Sequence, residues 1–113
     1  MIKKIFIIWI ILIHFNNSLF SQAADTGETA LYKSLEKAEK ELNRIYIQKA
    51  KALSIKKRNT LKKVQKQWIK HRDAKCGAIQ EDGTIGNKLK LDCLIQETLL
   101  RIEKLKSWSV KSN

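Results

Sequence analysis

Two cysteines, Cys76 and Cys93, are the residues of this chain whose chemistry is most definite. They are the only cysteines among the 113 residues, so each has a single candidate partner. Metal binding is the alternative, but a structural zinc site needs four ligands, typically with cysteines about two to four residues apart. The two sulfurs are much farther apart in sequence, and His71 lies off the helical face of Cys76. We therefore predict a Cys76–Cys93 disulfide, with no metal and no cofactor.

No set of residues in the sequence predicts catalysis. There is no nucleophile beside a base, no glycine-rich phosphate loop and no cluster of metal ligands. His71 has no acidic or nucleophilic companion nearby in sequence, so we interpret it as a surface imidazole. We predict that the chain is not an enzyme.

Residues 1–23 are predicted to be a signal peptide. Two lysines precede an apolar run, Ile5–Phe15, and small residues near Ala23 suit cleavage there. An uncleaved anchor is the alternative, but the run is shorter than the about 20 residues that cross a bilayer. We therefore expect residues 24–113 to be exported to the periplasm, where disulfides persist.

The composition and the apolar periodicity predict an all-α protein. The chain has no proline and only four glycines, which favours helices over a turn-rich sheet protein. Apolar residues recur at three- and four-residue intervals and predict helices over about 29–54, 60–78 and 88–106. We expect one small antiparallel three-helix domain at 24–113, a long helical hairpin plus a third helix, closed by one disulfide.

The connections between these helices are predicted from their turn residues. Ser54–Thr60 should turn the chain, with Asn59 and Thr60 as N-caps. The alternative is one unbroken helix, which would need a partner chain to bury its apolar seam. Turn pairs at Asp82-Gly83 and Gly86-Asn87 predict a loop before the third helix. We expect six residues of that helix to face inward: Leu91, Ile95, Thr98, Leu99, Ile102 and Leu105.

Three motifs in the sequence resemble a known family. They are Leu42-Asn43-x-x-Tyr46, Gln65-x-x-Trp68-Ile69-x-x-Arg72-Asp73-x-x-Cys76, and Cys93 followed by Thr98-x-x-Arg101. With Gly83 between the cysteines, this pattern resembles the N-terminal domain of LprI-type lysozyme inhibitors over about Leu31 to Leu105. The resemblance implies a small, helical, disulfide-bonded periplasmic fold and, in a few members, inhibition of lysozyme.

Five polar residues of these motifs are interpreted as structural: Asn43, Arg72, Asp73, Thr98 and Arg101. Arg72 shares a helical face with Trp68, which we assign to the core, so its guanidinium needs a partner on a facing helix. Asp73 projects elsewhere from the same helix. We therefore expect it to pair with Arg101 across the helices, as a clasp that fixes their register.

The formal net charge of +12 favours acidic partners. Exported chains rarely meet nucleic acid, so we predict no nucleic acid partner and no membrane anchor after cleavage. The candidate partner-binding residues form two groups. One is the loop between the cysteines, with Gly83, Gly86, Lys88 and Lys90; the other is the basic block Lys56, Lys57, Arg58, Lys62 and Lys63.

Two functions remain open from the sequence. The chain is either a non-catalytic binding protein that blocks a lysozyme or another cell-wall hydrolase, or an envelope-associated or toxin-neutralising protein. In the first case the loop cations would pair with the two carboxylates that such hydrolases carry in a cleft. In the second, the basic surface would bind an acidic protein or an anionic envelope polymer.

Overall fold

The computed structural model describes residues 27–80 and 83–108; the predicted signal peptide lies outside them. The described residues form three helices and no strand: α1 is Glu28–Lys51, α2 is Ile55–Gly77 and α3 is Gly83–Ser107. The prediction of an all-α, three-helix domain closed by one disulfide is therefore confirmed.

The chain turns between α1 and α2 earlier than predicted. Ser54 is the N-cap of α2, and its hydroxyl accepts a hydrogen bond from the backbone N–H of Lys57 at 3.4 Å. Arg58 donates to the carbonyls of Ala50 at 3.0 Å and Leu53 at 3.2 Å, which ties the first turn of α2 to the end of α1. The prediction of N-caps at Asn59 and Thr60 was wrong, because Ser54 already supplies a side-chain cap five residues upstream.

Helices α1 and α3 run side by side in the same direction. Near their starts, the Asn87 amide donates to Glu28 at 3.3 Å; near their ends, Lys49 Nζ donates to the Lys106 carbonyl at 2.7 Å. These two helices pack most closely, whereas α1 and α2 approach each other least. The hairpin expected of α1 and α2 is thus open along much of its length.

Helix α2 runs the opposite way against α3. Cys76, at the end of α2, is bonded to Cys93, while Gln65, farther back in α2, contacts Arg101 farther along α3. The Cys76 and Cys93 Cα atoms are 5.6 Å apart, within the predicted range of about 4.4–6.8 Å for a disulfide. The covalent bond therefore holds the last turn of α2 against α3.

The core lies where the three apolar faces meet. Leu61 and Leu105 are fully buried at its centre, and the other buried apolar side chains are Ala38, Leu42, Ile45, Cys76, Leu91, Ile95 and Ile102. Thr98 is buried as predicted, but Leu99 is 45% exposed. The prediction for Leu99 was wrong because it lies about 100° around the helix from Thr98, outside the buried stripe.

The loop between α2 and α3 is shorter than predicted. Helix α3 begins at Gly83, whose φ of 71° is readily adopted by glycine. Gly86 is buried inside the helix, and Lys88 and Lys90 are half-buried on it. The loop predicted to reach Asn87 was wrong because the first turns of α3 pack against the start of α1, where Asn87 contacts Glu28.

Candidate functional site

Seven residues of the first two sequence motifs line one groove between α1 and α2. Helix α1 contributes Leu42, Asn43 and Tyr46; helix α2 contributes Gln65, Trp68, Ile69 and Arg72. The groove has a volume of about 320 Å³ and exists because α1 and α2 diverge. Motifs that are separate in sequence thus meet on one surface, which we call the α1–α2 groove.

The α1–α2 groove combines an apolar floor with a charged rim. Tyr46 and Trp68 are half-buried and pack against the core, while Asn43 is exposed. Lys62 and Lys66 are exposed at the rim. Concave sites with apolar walls and a few polar groups are typical of ligand and peptide binding. The groove therefore suits an apolar or aromatic side chain that has acidic neighbours.

Arg72 joins all three helices at one end of this groove. Its guanidinium donates to Thr98 Oγ1 on α3 at 3.1 Å, to Glu39 Oε1 on α1 at 3.4 Å and to Asp73 Oδ1 at 3.0 Å. It also lies over the Trp68 ring, 5.2 Å from the centroid. The expected partner on a facing helix is confirmed by Glu39. Arg72 also forms an ion pair with Asp73, which the sequence analysis had paired with Arg101.

Arg101 faces the same tryptophan but has no acidic partner among the described residues. Its Nε donates to Gln65 Oε1 at 2.9 Å, and its guanidinium lies 5.6 Å from the centroid of the Trp68 ring. The residue is only 8% exposed, and its buried Nη2 has no hydrogen-bond partner in the described part of the chain. Burial lowers the pKa of this guanidinium. The predicted Asp73–Arg101 pair is not formed, because Asp73 is held by Arg72 on its own helix.

Gln65 is the site residue that the sequence reasoning missed. It is 9% exposed and supplies the single side-chain acceptor for Arg101. A signal for it was present, since Gln65 lies four residues after Leu61 and three before Trp68, on the face assigned to the core. A polar residue within that apolar spacing indicates a buried hydrogen bond.

The predicted basic block is divided between two roles. Arg58 holds the turn after α1, and Lys57 is half-buried beside it, whereas Lys56 is exposed. Four exposed lysines of α2, which we call the α2 lysine face, border an open depression of about 470 Å³: Lys62, Lys63, Lys66 and Lys70. No carboxylate of the described residues lies within ion-pair distance of these four side chains.

The residues predicted to form a protruding loop do not form one. Gly83, Gly86, Lys88 and Lys90 all belong to α3, and the two lysines are half-buried. Insertion of this segment into a partner's cleft is therefore not supported by its conformation.

Within residues 27–80 and 83–108, no helix is long and apolar enough to cross a membrane. The same residues contain no group of three or more His, Cys, Asp or Glu side chains placed to hold a metal ion.

Comparison with known families gives a match that covers α1, α2 and nearly all of α3. Residues 21–105 match the family described as lysozyme inhibitor LprI, in agreement with the resemblance of the motifs. This is an inhibitor family, generally non-catalytic and typically exported. No curated protein and no solved structure matches the chain.

Proposed function

We propose that this chain, which belongs to the LprI lysozyme inhibitor family, is an exported, non-catalytic protein that binds a cell-wall hydrolase and blocks it. Export would follow from the signal peptide expected at residues 1–23, with the periplasm as destination. The Cys76–Cys93 bond supports an oxidising compartment. The observation that carries the proposal is the α1–α2 groove, where the motif residues converge.

The exposure of the groove residues favours binding over a purely structural role. Asn43 is exposed and Ile69 is 39% exposed, although both belong to the motifs that carry the resemblance. Neither side chain is needed to complete the core around Leu42, Leu61 and Leu105. Side chains that are rigidly placed beside an aromatic floor, and still accessible, are typical of interface centres.

The charge on the rim indicates how such a protein would act on a hydrolase. Lysozyme-type enzymes cleave their substrate with two carboxylates in a cleft. Lys62 and Lys66 are exposed at the rim without a carboxylate partner among the described residues. A protruding segment of the hydrolase would occupy the groove, and these lysines would lie against the acidic rim of its cleft.

The test is lysis of cell-wall substrate by a panel of basic and acidic lysozymes, with purified residues 24–113 added. We expect slower lysis by at least one enzyme. Asn43→Arg should weaken that inhibition by about tenfold or more, because it fills the groove with a long charged side chain. Gln48→Arg makes the same chemical change at an exposed site of α1 outside the groove and should have no effect. Absence of slowing at high molar excess across the panel would eliminate the proposal.

A second function is favoured by the α2 lysine face. Its four ammonium groups, which have no carboxylate partner among the described residues, would attract an anionic envelope polymer or an acidic protein, with an affinity that falls as salt rises. A pull-down from periplasm at low and high salt should identify the ligand. Lys63→Gln with Lys70→Gln should abolish salt-sensitive capture, and Lys33→Gln with Lys37→Gln on exposed α1 should not. Capture that is independent of salt would contradict this second function.

A further inference from the structure

Trp68 also borders a second cleft, between α2 and α3, which we call the α2–α3 cleft. It has a volume of about 450 Å³. Trp68 and the exposed His71 line it from α2, and Leu100, Arg101 and Lys104 are among the residues that line it from α3. The groove and the cleft share Trp68 but differ in the arginine that borders them.

Arg101 brings an uncompensated charge to the α2–α3 cleft. It is 8% exposed, and within residues 27–80 and 83–108 its one hydrogen-bond acceptor is the neutral Gln65 amide, while its buried Nη2 has none. A buried guanidinium normally requires a carboxylate and several hydrogen bonds to offset its loss of hydration. Contact with the Trp68 ring offsets part of this loss but supplies no negative charge. The free protein therefore holds Arg101 in an unfavourable environment.

Two glutamates also line the cleft, but neither is paired with Arg101. Glu97 is paired with Lys75, and Glu103 is paired with Lys106. Lys104 also lines the cleft and has no carboxylate within ion-pair distance among the described residues. Because both glutamates are paired with lysines, Arg101 and Lys104 are left without a counter-charge among the described residues, and a carboxylate would supply it.

We propose that the α2–α3 cleft receives an aspartate or glutamate side chain of the protein that this chain binds, and that Arg101 is its main contact. This deepens the proposed function and rests on it for the identity of the partner. The incoming carboxylate supplies the missing counter-charge at the side of the guanidinium that borders the cleft, and Lys104 strengthens its attraction. Leu100 is 61% exposed at the cleft and would pack against the methylene stem, which favours an amino-acid side chain over an inorganic anion.

Trp68 gives a direct spectroscopic test of this proposal. Trp68 and Trp108 are the only tryptophans in residues 24–113, so Trp108→Phe leaves Trp68 as the single reporter. We would titrate this protein with N-acetyl-glutamate N-methylamide and with its glutamine counterpart at constant ionic strength. The glutamate compound should change the emission saturably, with a dissociation constant of roughly millimolar order for a single charged contact. The glutamine compound should not.

Variants separate Arg101 from the general positive charge of the protein. Arg101→Gln should abolish the glutamate response, and Lys104→Gln should weaken it several-fold. Lys33→Gln, which removes one exposed charge from α1, should leave it unchanged. Equal responses to glutamate and glutamine compounds, or a response that persists in Arg101→Gln, would overturn the proposal.

A double variant guards against the possibility that Arg101 is only structural. Gln65→Leu with Arg101→Met replaces the buried polar pair with apolar side chains of similar size. Such replacements are often neutral or stabilising. We expect an unfolding midpoint at or above that of the parent and no glutamate response. A large fall in the midpoint would show that Arg101 serves the fold.

Failure of the proposed hydrolase inhibition can be distinguished from failure of the proposed carboxylate site. If Arg101→Gln inhibits a hydrolase as well as the parent does, this inference is wrong while the proposed function stands. If no hydrolase is inhibited but the glutamate compound binds at Arg101, the carboxylate site stands and the proposed function falls.

Discussion

Two arginines contact the same tryptophan ring, and their surroundings are opposite in character. Arg72 donates to Glu39, Asp73 and Thr98, so its charge is matched by two carboxylates. Arg101 contacts the neutral amide of Gln65 and the face of Trp68, and its Nη2 has no acceptor in the part of the chain that the structure describes.

This difference indicates that the two residues serve different purposes. Arg72 reaches α1 and α3 from α2, which makes it a clasp that fixes how the three helices pack. A completed ion-pair network of this kind stabilises the free protein. Arg101 is held in place without such compensation, which is the arrangement expected of a residue whose partner arrives with a ligand.

The largest effect should come from breaking the disulfide that supports both arginines. Cys76→Ser frees the last turn of α2 from α3, so Arg72 loses its fixed position relative to Thr98, and Arg101 loses its fixed position relative to Trp68. We expect a loss of about 2–4 kcal/mol of unfolding free energy. Denaturant unfolding monitored by circular dichroism measures it. A change below about 1 kcal/mol would show that α2 is held mainly by its side-chain contacts.

Arg72→Met should have the next largest effect. It removes the cation from Glu39 and Asp73 and leaves the Thr98 hydroxyl with one bond fewer. Both carboxylates are about half-exposed and can regain water, so we expect a loss of about 1–3 kcal/mol. The midpoint of thermal unfolding should fall by about 4–8 °C for each kcal/mol. An unchanged midpoint would contradict the assignment of Arg72 as the clasp.

Thr98→Val should have a smaller effect on the same network. The side chain is fully buried, accepts from Arg72 at 3.1 Å and donates to the Leu94 carbonyl at 2.6 Å. Valine keeps the shape and removes the hydroxyl, so we expect a loss of about 1 kcal/mol. In an Arg72→Met background the loss should shrink, because the two residues share a bond. Full additivity would show that they act independently.

Gln65→Leu with Arg101→Met should have the smallest effect on stability. Removing both partners leaves neither a buried donor nor a buried acceptor, so the unfolding free energy should stay within about 1 kcal/mol of the parent or rise. Thermal unfolding of the double variant and of Arg72→Met under the same conditions compares the two losses of stability. A loss as large as that of Arg72→Met would remove the contrast between the two arginines.

The sequence predicted the packing faces better than the polar partners. The seam of α1 and the buried stripe Leu91, Ile95, Thr98, Ile102 and Leu105 follow from helical periodicity, which depends on one helix at a time. The partner of Arg101 depends on the register between α2 and α3. Periodicity does not specify that register, so the sequence reasoning paired Arg101 with Asp73 and did not consider Gln65.

The helix ends were predicted less well for a related reason. Ser54 caps the start of α2, and Gly83 is the first residue of α3. Stronger capping and turn signals lie several residues later in both cases. A local cap at Ser54 starts α2 earlier, and a tertiary contact, Asn87 against Glu28, accompanies the earlier start of α3. The α1–α2 groove was not predictable either, because it arises from the divergence of two helices that the sequence suggested would pack together.

The contrast between the arginines can be measured in one titration of the isotopically labelled protein. The Nε–H signals of Arg72 and Arg101 would be followed by NMR as N-acetyl-glutamate N-methylamide is added at constant ionic strength, after assignment with Arg→Lys variants. The Arg101 signal should shift saturably, while that of Arg72, already held by Glu39 and Asp73, should not move. Equal shifts of both signals, or no shift of Arg101, would contradict the assignment of Arg101 as the residue that receives a partner's carboxylate.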